Sequence, residues 1–379
     1  MKKLRPGCDA LSQRRPTSVP ARCRAMMKRR GPVSRRQMAA QPPALLRHAA
    51  PLRGARSIQP VSISAVEVTD GRLPCSGATL QPLTQEHAMT YIIHGATGAQ
   101  GAPVLTQLLA AGKHAVAAVR NPDAHAGTAA IRVDNTSVQS LTEAYRGAKG
   151  VFIHLPVATE EARLAQANAI VAAIAAARPA RVVISTSGSI VDAPGKALQA
   201  PASAAITVLI EGVQATGVST AIVAPRLFLE NLLLPMVIGG ARAEGVLGYP
   251  IREDFTVSWS SHLDVAEVVV RLFEMPELRG VVGVGHVPGL LGSDLAAGIA
   301  EQLQRTVAFR GVLPADFGKL LEPMLGPAAA AVTGLYQALW QAPANTIDPA
   351  SSAQHLLGLS PRSVAQWLRD VSASAATPS

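Results

Sequence analysis

The chain has few cysteines, and all three of them, Cys8, Cys23 and Cys75, precede residue 89. Residues 89–379 therefore contain no pair for a disulfide, no cysteine ligand for zinc and no cysteine nucleophile. We accordingly expect no metal site. This pattern fits a reducing compartment, and the cytoplasm is the location that it predicts.

Long apolar runs are also missing, since no stretch of about 18 apolar residues occurs, and the sequence predicts no contact with a membrane. The net charge of +10 is confined to one end of the chain. Residues 1–88 hold 16 of the 35 basic side chains and 4 of the 25 acidic ones, whereas residues 89–379 hold 19 and 21. A nucleic-acid partner is thus not indicated for the larger part of the chain.

Residues 1–88 form a basic extension that lacks aromatic residues and sustained periodicity, and it is predicted to be disordered. Three interpretations remain open. The favoured one is upstream sequence added by a mis-assigned start, because Met89 lies just before the first predicted strand. The second is a transit peptide, which would place the protein in an organelle. The third is a nucleic-acid-binding arm, although the extension has no aromatic side chain on which bases could stack.

A glycine turn follows the first apolar strand, in the sequence Tyr91-Ile-Ile-His-Gly95-Ala-Thr-Gly98-Ala-Gln-Gly101. Strand, turn and helix in this order form the place where a dinucleotide puts its pyrophosphate. Gly95 allows the tight turn, Gly98 lets main-chain N–H groups approach phosphate oxygens, and Gly101 lets helix and strand pack closely. The helix N-terminus adds free N–H donors and a partial positive charge.

Short apolar runs alternate with helical segments from residue 89 to about residue 225, which is typical of parallel strands covered on both faces. The predicted fold class is therefore α/β, a doubly wound parallel sheet, with ligands at the carboxyl ends of the strands. From residue 226 to 379 the pattern becomes irregular, with a Gly/Pro-rich turn at 245–250 and a short strand at 281–284. We interpret this part as a smaller α+β lobe on the substrate side, with C-terminal helices.

The second strand ends at Arg120, nineteen residues after Gly101. An acidic residue at this point would bind the ribose 2′-hydroxyl of NAD, whereas an arginine attracts a 2′-phosphate. Arg120 therefore favours NADP(H), with NAD(H) less preferred. Asp134, after the third strand, could face the adenine edge or simply cap its loop.

Several motifs in this order resemble the NmrA-like family of atypical short-chain dehydrogenases/reductases, most closely its branch of NADPH-dependent quinone reductases. They are the glycine turn, the sequence Val-Arg-Asn-Pro at 119–122, the segment from Pro225 to Asn231 that contains Phe228, and the segment Trp259 to Ala266. The resemblance covers about residues 89–370. It implies a Rossmann domain at 89–225, a small C-terminal lobe and bound NADP(H).

The resemblance also implies the site residues. The cofactor contacts would be Gly95, Thr97, Gly98, Gln100, Gly101, Arg120, Leu155, Pro156, Ser185, Thr186 and Pro225. Ser187 and Phe228 would lie on the substrate side, where Tyr249 and Trp259 could wall a pocket or belong to the core. His94, His154 and His262 are the other candidates, although packing or capping explains each of them as well.

The Tyr and Lys that serve many short-chain dehydrogenases are missing from the helix after the fifth strand, since no Tyr occurs between residues 146 and 248. The string Tyr145-Arg-Gly-Ala-Lys149 lies between the third and fourth strands and is interpreted as a chance match. Ile206 aligns where the family often has Lys, with Lys196 in a loop before it, and Ala224 replaces an Arg.

Reduction of a ketone needs a proton donor, whereas a hydroquinone anion can be protonated by solvent. The sequence therefore predicts an oxidoreductase that transfers hydride from NADPH to a quinone or similar carbonyl compound. The alternative is a non-catalytic NADP(H) sensor that binds a regulatory protein.

Overall fold

The helices and strands lie within residues 90–124 and 127–376, which are the residues that the computed structural model describes. The predicted extension of residues 1–88 lies outside this range. The strands are β1 Tyr91–His94, β2 Ala115–Val119, β3 Ala130–Arg132, β4 Gly150–His154, β5 Arg181–Ser185, β6 Ser219–Pro225, β7 Leu227–Phe228, β8 Val246–Tyr249, β9 Thr256–Val257, β10 Trp259–Ser260, β11 Gly280–Val284, β12 Ala308–Gly311 and β13 Ala344–Asn345.

The α-helices are α1 Gly101–Ala110, α2 Val138–Tyr145, α3 Glu160–Ala177, α4 Ala205–Ala215, α5 Pro235–Glu244, α6 His262–Glu274, α7 Gly292–Leu303, α8 Pro314–Leu325, α9 Ala329–Gln341, α10 Ala353–Leu357 and α11 Val364–Ala376. Short 3-10 segments lie at Pro122–Ala124, Leu229–Leu233, Gly326–Ala328 and Pro349–Ser351. No helix in the described part of the chain is long and apolar enough to cross a membrane.

Seven parallel strands form the main sheet, in the order β11-β6-β5-β4-β1-β2-β3. The chain runs outward in one direction from β1 to β3 and then in the other direction from β4 to β11. The order therefore reverses between β1 and β4, and the crevice above their carboxyl ends is where such sheets bind ligands. The predicted doubly wound α/β fold is confirmed.

Both faces of this sheet are covered, as the apolar strands require. One face packs against α2, α3 and α4 through residues such as Leu141, Ile170 and Leu209. The other face packs against α1 and α6 through residues such as Leu108 and Val269. Strands that are buried on both sides must be apolar throughout, which explains the continuous apolar runs in the sequence.

Two elements from the second half of the chain belong to this sheet layer, and here our interpretation of the sequence was wrong. We expected the strand near residue 281 in the smaller lobe, but β11 pairs with β6 from Gly280 to Val284. Helix α6, also C-terminal to residue 225, covers the sheet beside α1. Arg181 stabilises the loop between α6 and β11. Its guanidinium donates hydrogen bonds to the carbonyls of Leu272, Pro276 and Leu278.

The rest of the C-terminal half has its own core, formed by α5, α7, α8, α9 and α11 with the short pairs β12-β8 and β13-β9. The Gly/Pro-rich turn predicted at 245–250 is instead the strand β8, with Leu247 and Tyr249 fully buried. Gly245 ends α5 with a φ of +69°, and the strand begins directly after it. The predicted division at residue 225 stays a prediction.

Candidate functional site

The turn between β1 and α1 needs glycine at the positions where the sequence has it. Gly95 has a φ of +60°, and the N–H of Gly98 donates to its carbonyl at 2.8 Å. A Cβ atom on Gly101 would stand 2.3 Å from the carbonyl oxygen of Gly95, so only glycine lets α1 start this close to the turn. Thr97 and Gly98 are exposed at the tip of the turn.

Among the described residues, no side chain caps the N-terminus of α1, although the Ala102 N–H donates to the Gly98 carbonyl at 3.1 Å. Its N-cap residue Gln100 makes no capping hydrogen bond with its side chain, and the first turn holds no acidic residue. By contrast, Ser137, Thr159 and Ser261 cap α2, α3 and α6 through their hydroxyl groups. The uncapped end of α1 lies at the switch point of the sheet and is suited to an anion such as a pyrophosphate.

Gln100 connects this turn to the carboxyl end of β5. Its side-chain amide accepts a hydrogen bond from the Ser185 hydroxyl at 2.8 Å and donates one to the Ser187 hydroxyl at 2.9 Å. The hydroxyl of Thr186 is buried and has no partner among the described residues. The residues predicted from the turn and from β5 are therefore in direct contact with each other.

Arg120 lies at the end of β2, where its side chain is exposed and bonds to none of the residues that the structure describes. The guanidinium of Arg132 lies beside it and donates to the Arg120 carbonyl at 3.2 Å. We did not single out Arg132 from the sequence, although its pairing opposite Val119 follows from the β2–β3 register. Two arginines thus flank the place predicted for a 2′-phosphate.

Asp134 caps its own loop, as one of the two interpretations of the sequence proposed. Its Oδ1 accepts hydrogen bonds from the N–H and the hydroxyl of Thr136, at 2.9 and 2.7 Å. These two bonds lower the pKa of the Asp134 carboxyl below its usual value. A contact with the adenine edge would have to use the other carboxylate oxygen.

Two histidines end the neighbouring strands β1 and β4. His94 is buried, and its Nε2 shares a hydrogen bond of 2.7 Å with the Tyr145 hydroxyl. Burial and the nearby His154 lower the pKa of His94 to about 4, so this ring is neutral near pH 7. His154 packs against Gly95, and burial lowers its pKa as well. Packing therefore accounts for His94.

The remaining predicted cofactor contacts lie at the carboxyl ends of β4 and β6. Leu155 is buried and Pro156 is half-buried directly after β4, while Pro225 is buried at the end of β6. Phe228 follows in β7 and is half-buried, with its ring centroid 4.3 Å from that of His262. Phe228 is thus an aromatic residue of the predicted substrate pocket whose side chain remains partly accessible to solvent.

Tyr249 and Trp259 belong to the core of the C-terminal lobe and not to an open pocket. Both side chains are fully buried, with ring centroids 5.5 Å apart. The Tyr249 hydroxyl bonds to that of Tyr336, and Phe317 completes the aromatic cluster. Of the two interpretations that the sequence left open, core packing is the one that this geometry supports.

Glu230 and His262 form a half-buried contact next to Phe228. Glu230 Oε1 accepts hydrogen bonds from the His262 main-chain N–H at 3.0 Å and from Trp367 Nε1 at 3.1 Å, while its buried Oε2 has no partner among the described residues. Burial raises the pKa of Glu230 to about 7 and lowers that of His262 to about 4. His262 is therefore neutral, and it does not cap α6, because Ser261 does so.

A buried ion pair that the sequence did not reveal holds the loop after β5. Arg226 donates two hydrogen bonds to the Asp192 carboxylate, both at 2.8 Å, and its Nε donates to the Thr346 carbonyl. The two side chains are 3% and 12% exposed, so solvent screens the pair little. Arg226 therefore fixes this loop beside the end of β6.

The interpretation of Tyr145 and Lys149 as a chance match agrees with their positions. Tyr145 is buried against His94, whereas Lys149 precedes β4 and lies over the ring of Tyr91, at the opposite end of the sheet. Ile206 is buried in α4, and Lys196 is exposed in the loop after β5. No Tyr and Lys pair occurs at the carboxyl ends of the described strands.

Residues 88–364 match the model of the NmrA-like family. None of the curated proteins matches the chain.

Several solved structures share the fold. An NADPH-dependent quinone oxidoreductase of Escherichia coli, complexed with NADPH, is 19% identical with a TM-score of 0.57, over 75% of this chain and 99% of that one. The triphenylmethane reductase of Citrobacter sp., complexed with NADP(H), is 15% identical with a TM-score of 0.60, over 74% and 99%. A nucleoside-diphosphate-sugar epimerase of Staphylococcus aureus is 17% identical with a TM-score of 0.60, over 74% and 100%. At these identities the likeness concerns the fold alone.

Proposed function

The chain belongs to the NmrA-like family of NAD(P)-binding proteins, and from that premise we propose that it is an NADPH-dependent reductase of quinones or similar flat carbonyl compounds. The observation that carries the proposal is the uncapped glycine turn at the switch point, in a site without a Tyr and Lys pair. The cytoplasm stays the predicted location.

The cofactor preference rests on charge at the end of β2. Arg120 is exposed and bonds to none of the described side chains, and Arg132 adds a second guanidinium beside it. A planar guanidinium binds a phosphate group through two parallel hydrogen bonds, so this corner favours the 2′-phosphate of NADPH over the free hydroxyl of NADH.

The acceptor class follows from the missing Tyr and Lys pair. Bound NADPH would supply a hydride. An alkoxide formed from a ketone is strongly basic and requires a proton from a positioned acid, whereas a hydroquinone anion is weakly basic and takes its proton from water. What remains for the protein is to hold the two partners face to face. The half-buried side chains of Ser187 and Phe228 are the candidates for this contact.

One observation also supports a second candidate function. With Tyr249 and Trp259 buried in the lobe core, Phe228 is the remaining aromatic candidate for a substrate wall. A site with a single accessible aromatic side chain among the described residues is also compatible with a non-catalytic NADP(H) sensor whose surface binds a regulatory protein.

A comparison of acceptor classes tests the proposal. NADPH oxidation by the full chain is followed with quinones, aromatic aldehydes and aliphatic ketones at equal concentration. We expect turnover with quinones and at least about a hundredfold less with aliphatic ketones, which is the usual size of a general acid's contribution. Equal rates with quinones and aliphatic ketones would show a proton donor that we have not identified, and no turnover with any acceptor would favour the sensor.

A further inference from the structure

Three histidines from three different elements lie near the crevice at the switch point. His94 ends β1, His154 ends β4 and His262 begins α6. They are close enough that a charge on His154 lowers the pKa of each of the other two. Such a group of mutually repelling imidazoles is kept neutral in the absence of an anion.

His154 differs from the other two in its position and in its unused nitrogen. Its imidazole occupies the space where a side chain at residue 95 would be, because a Cβ on Gly95 would stand 2.0 Å from His154 Nε2. That nitrogen is buried and has no hydrogen-bond partner among the described residues. The Nε2 of His94, by contrast, is bonded to the Tyr145 hydroxyl.

Buried polar atoms in proteins nearly always have a partner, so an unpartnered nitrogen against a phosphate-binding turn points to a change when the ligand arrives. The ring also forms a hydrogen bond with the backbone of Leu155, and the unpartnered Nε2 is the nitrogen that faces Gly95. A pyrophosphate on the main-chain N–H groups of the turn would bring negative charge close to this ring. In a poorly solvated environment such a charge stabilises an imidazolium strongly.

We propose that His154 takes up a proton from solvent when the pyrophosphate of NADPH binds to the glycine turn, and that the resulting imidazolium, packed behind Gly95, adds to the affinity for the anion. This inference rests on the NADPH binding assumed in the proposed function. It assigns His154 a positioning role through charge, and it requires no contact with the reacting atoms.

The groups that face His154 set the direction of the pH dependence. They are His94, held by Tyr145, and His262, which contacts Glu230. Burial keeps the pKa of free His154 below its usual value of 6.5, and bound pyrophosphate raises it. The affinity for NADPH therefore increases as the pH falls through the pKa of the complex, and it levels off below the pKa of the free protein.

The test is calorimetric titration of the full chain with NADPH in two buffers of different ionisation enthalpy, which measures the protons bound with the ligand. The variant His154→Phe keeps a ring over Gly95 but cannot bind a proton, and His262→Phe is the matched control within the same group. We expect proton uptake near neutral pH in the natural protein and in His262→Phe. In His154→Phe the uptake should be smaller, and the affinity at pH 6 should fall by about tenfold.

A second ligand separates the pyrophosphate from the rest of the cofactor. The compound 2′-AMP keeps the adenosine and its 2′-phosphate but has no phosphate at the 5′ position, so His154→Phe should weaken its binding little. Equal proton uptake in the natural protein and in His154→Phe would overturn the inference, as would a loss of affinity without any uptake. Failure of the natural protein to bind NADPH would instead overturn the proposed function.

Discussion

Arg120 is the residue on which the cofactor preference depends. Replacing it in Arg120→Ala should weaken NADPH binding by about tenfold or more, because a charge-assisted contact with the 2′-phosphate is lost, and should leave NADH binding unchanged. Titration of both cofactors measures this. Arg146→Ala, at an exposed arginine after α2, is the control and should change neither affinity. Equal loss for NADPH and NADH would mean that Arg120 does not meet the 2′-phosphate.

Glu230 should make the stability of the fold depend on pH. Its pKa is raised from 4.5 to about 7 in the folded protein, so the folded state keeps a proton that the unfolded state releases at lower pH. The resulting stabilisation is present below pH 4.5 and is lost as the pH rises through about 7. The change in unfolding free energy is about 3 kcal/mol over this window.

The variant Glu230→Gln keeps the shape of this side chain and removes the titration. Denaturant unfolding of the natural protein and of Glu230→Gln at several pH values should show the variant gaining relative stability between pH 4.5 and 7. The lowered pKa of His94, which does not contact Glu230, acts in the opposite direction in both proteins and therefore cancels in the difference. A difference that does not change with pH would contradict the raised pKa of Glu230.

Some residues of the site could be predicted from the sequence and others could not. The difference is whether a residue's position depends on strand order or on contacts with segments far along the chain. The predicted group Gly95, Gln100 and Ser185 meets as expected, because strand order alone brings the ends of β1 and β5 to one edge. The burial of Tyr249, in contrast, is decided by Phe317 and Tyr336, which come from helices far along the chain. Local sequence contains no signal for that cluster.

The turn that leads into α1 is the element with the strictest sequence requirement. In Gly101→Ala the new methyl group would meet main-chain oxygens of Gly95 and His94 at 2.3 and 2.5 Å, and backbone atoms cannot easily move away. We expect a loss of about 1–3 kcal/mol in unfolding free energy, typical of overpacking. Because the turn must widen, NADPH binding should also weaken strongly, and calorimetric titration measures it.

Gly239→Ala serves as the matched control for the turn. Gly239 lies inside α5, and a Cβ placed there meets no atom within 4 Å. The substitution should stabilise the protein by about 0.5–1 kcal/mol through helix propensity and should leave NADPH binding unchanged. If Gly101→Ala behaved like this control, the close approach of α1 to the turn would not be required.

Periodicity predicted the strands and helices of the main sheet up to β6. For the strands after β6, it did not predict which strand each one pairs with. The expected alternation of short apolar runs with helical segments is found from β1 to β6. The strand near residue 281 was found, but its place beside β6 was not, because an apolar run of five residues carries no information about which sheet edge it joins. The same holds for β8, whose partner β12 comes some sixty residues later.

In the molecule as a whole, the described residues build three apolar cores, one on each face of the main sheet and one in the C-terminal lobe. The sheet and its helices fix the turn of α1, the ends of β4 and β5 and the two arginines at β2 and β3. The C-terminal lobe packs around its own aromatic cluster. Phe228 packs instead against the core of the sheet layer, beside His262. The chain crosses between the cores several times, since α6, β11 and α10 return to the sheet layer.

We propose that NADPH bound at the glycine turn gives its hydride to a quinone without a Tyr and Lys pair. The most direct measurement is a single turnover of the full chain, in excess over NADPH, with a quinone and with NADPH that carries deuterium at C4 of the nicotinamide. We expect quinone-dependent oxidation of bound NADPH, formation of one hydroquinone per NADPH, and a slower reaction when the transferred position is deuterated. Tight binding of NADPH that stays reduced in the presence of quinones would contradict it.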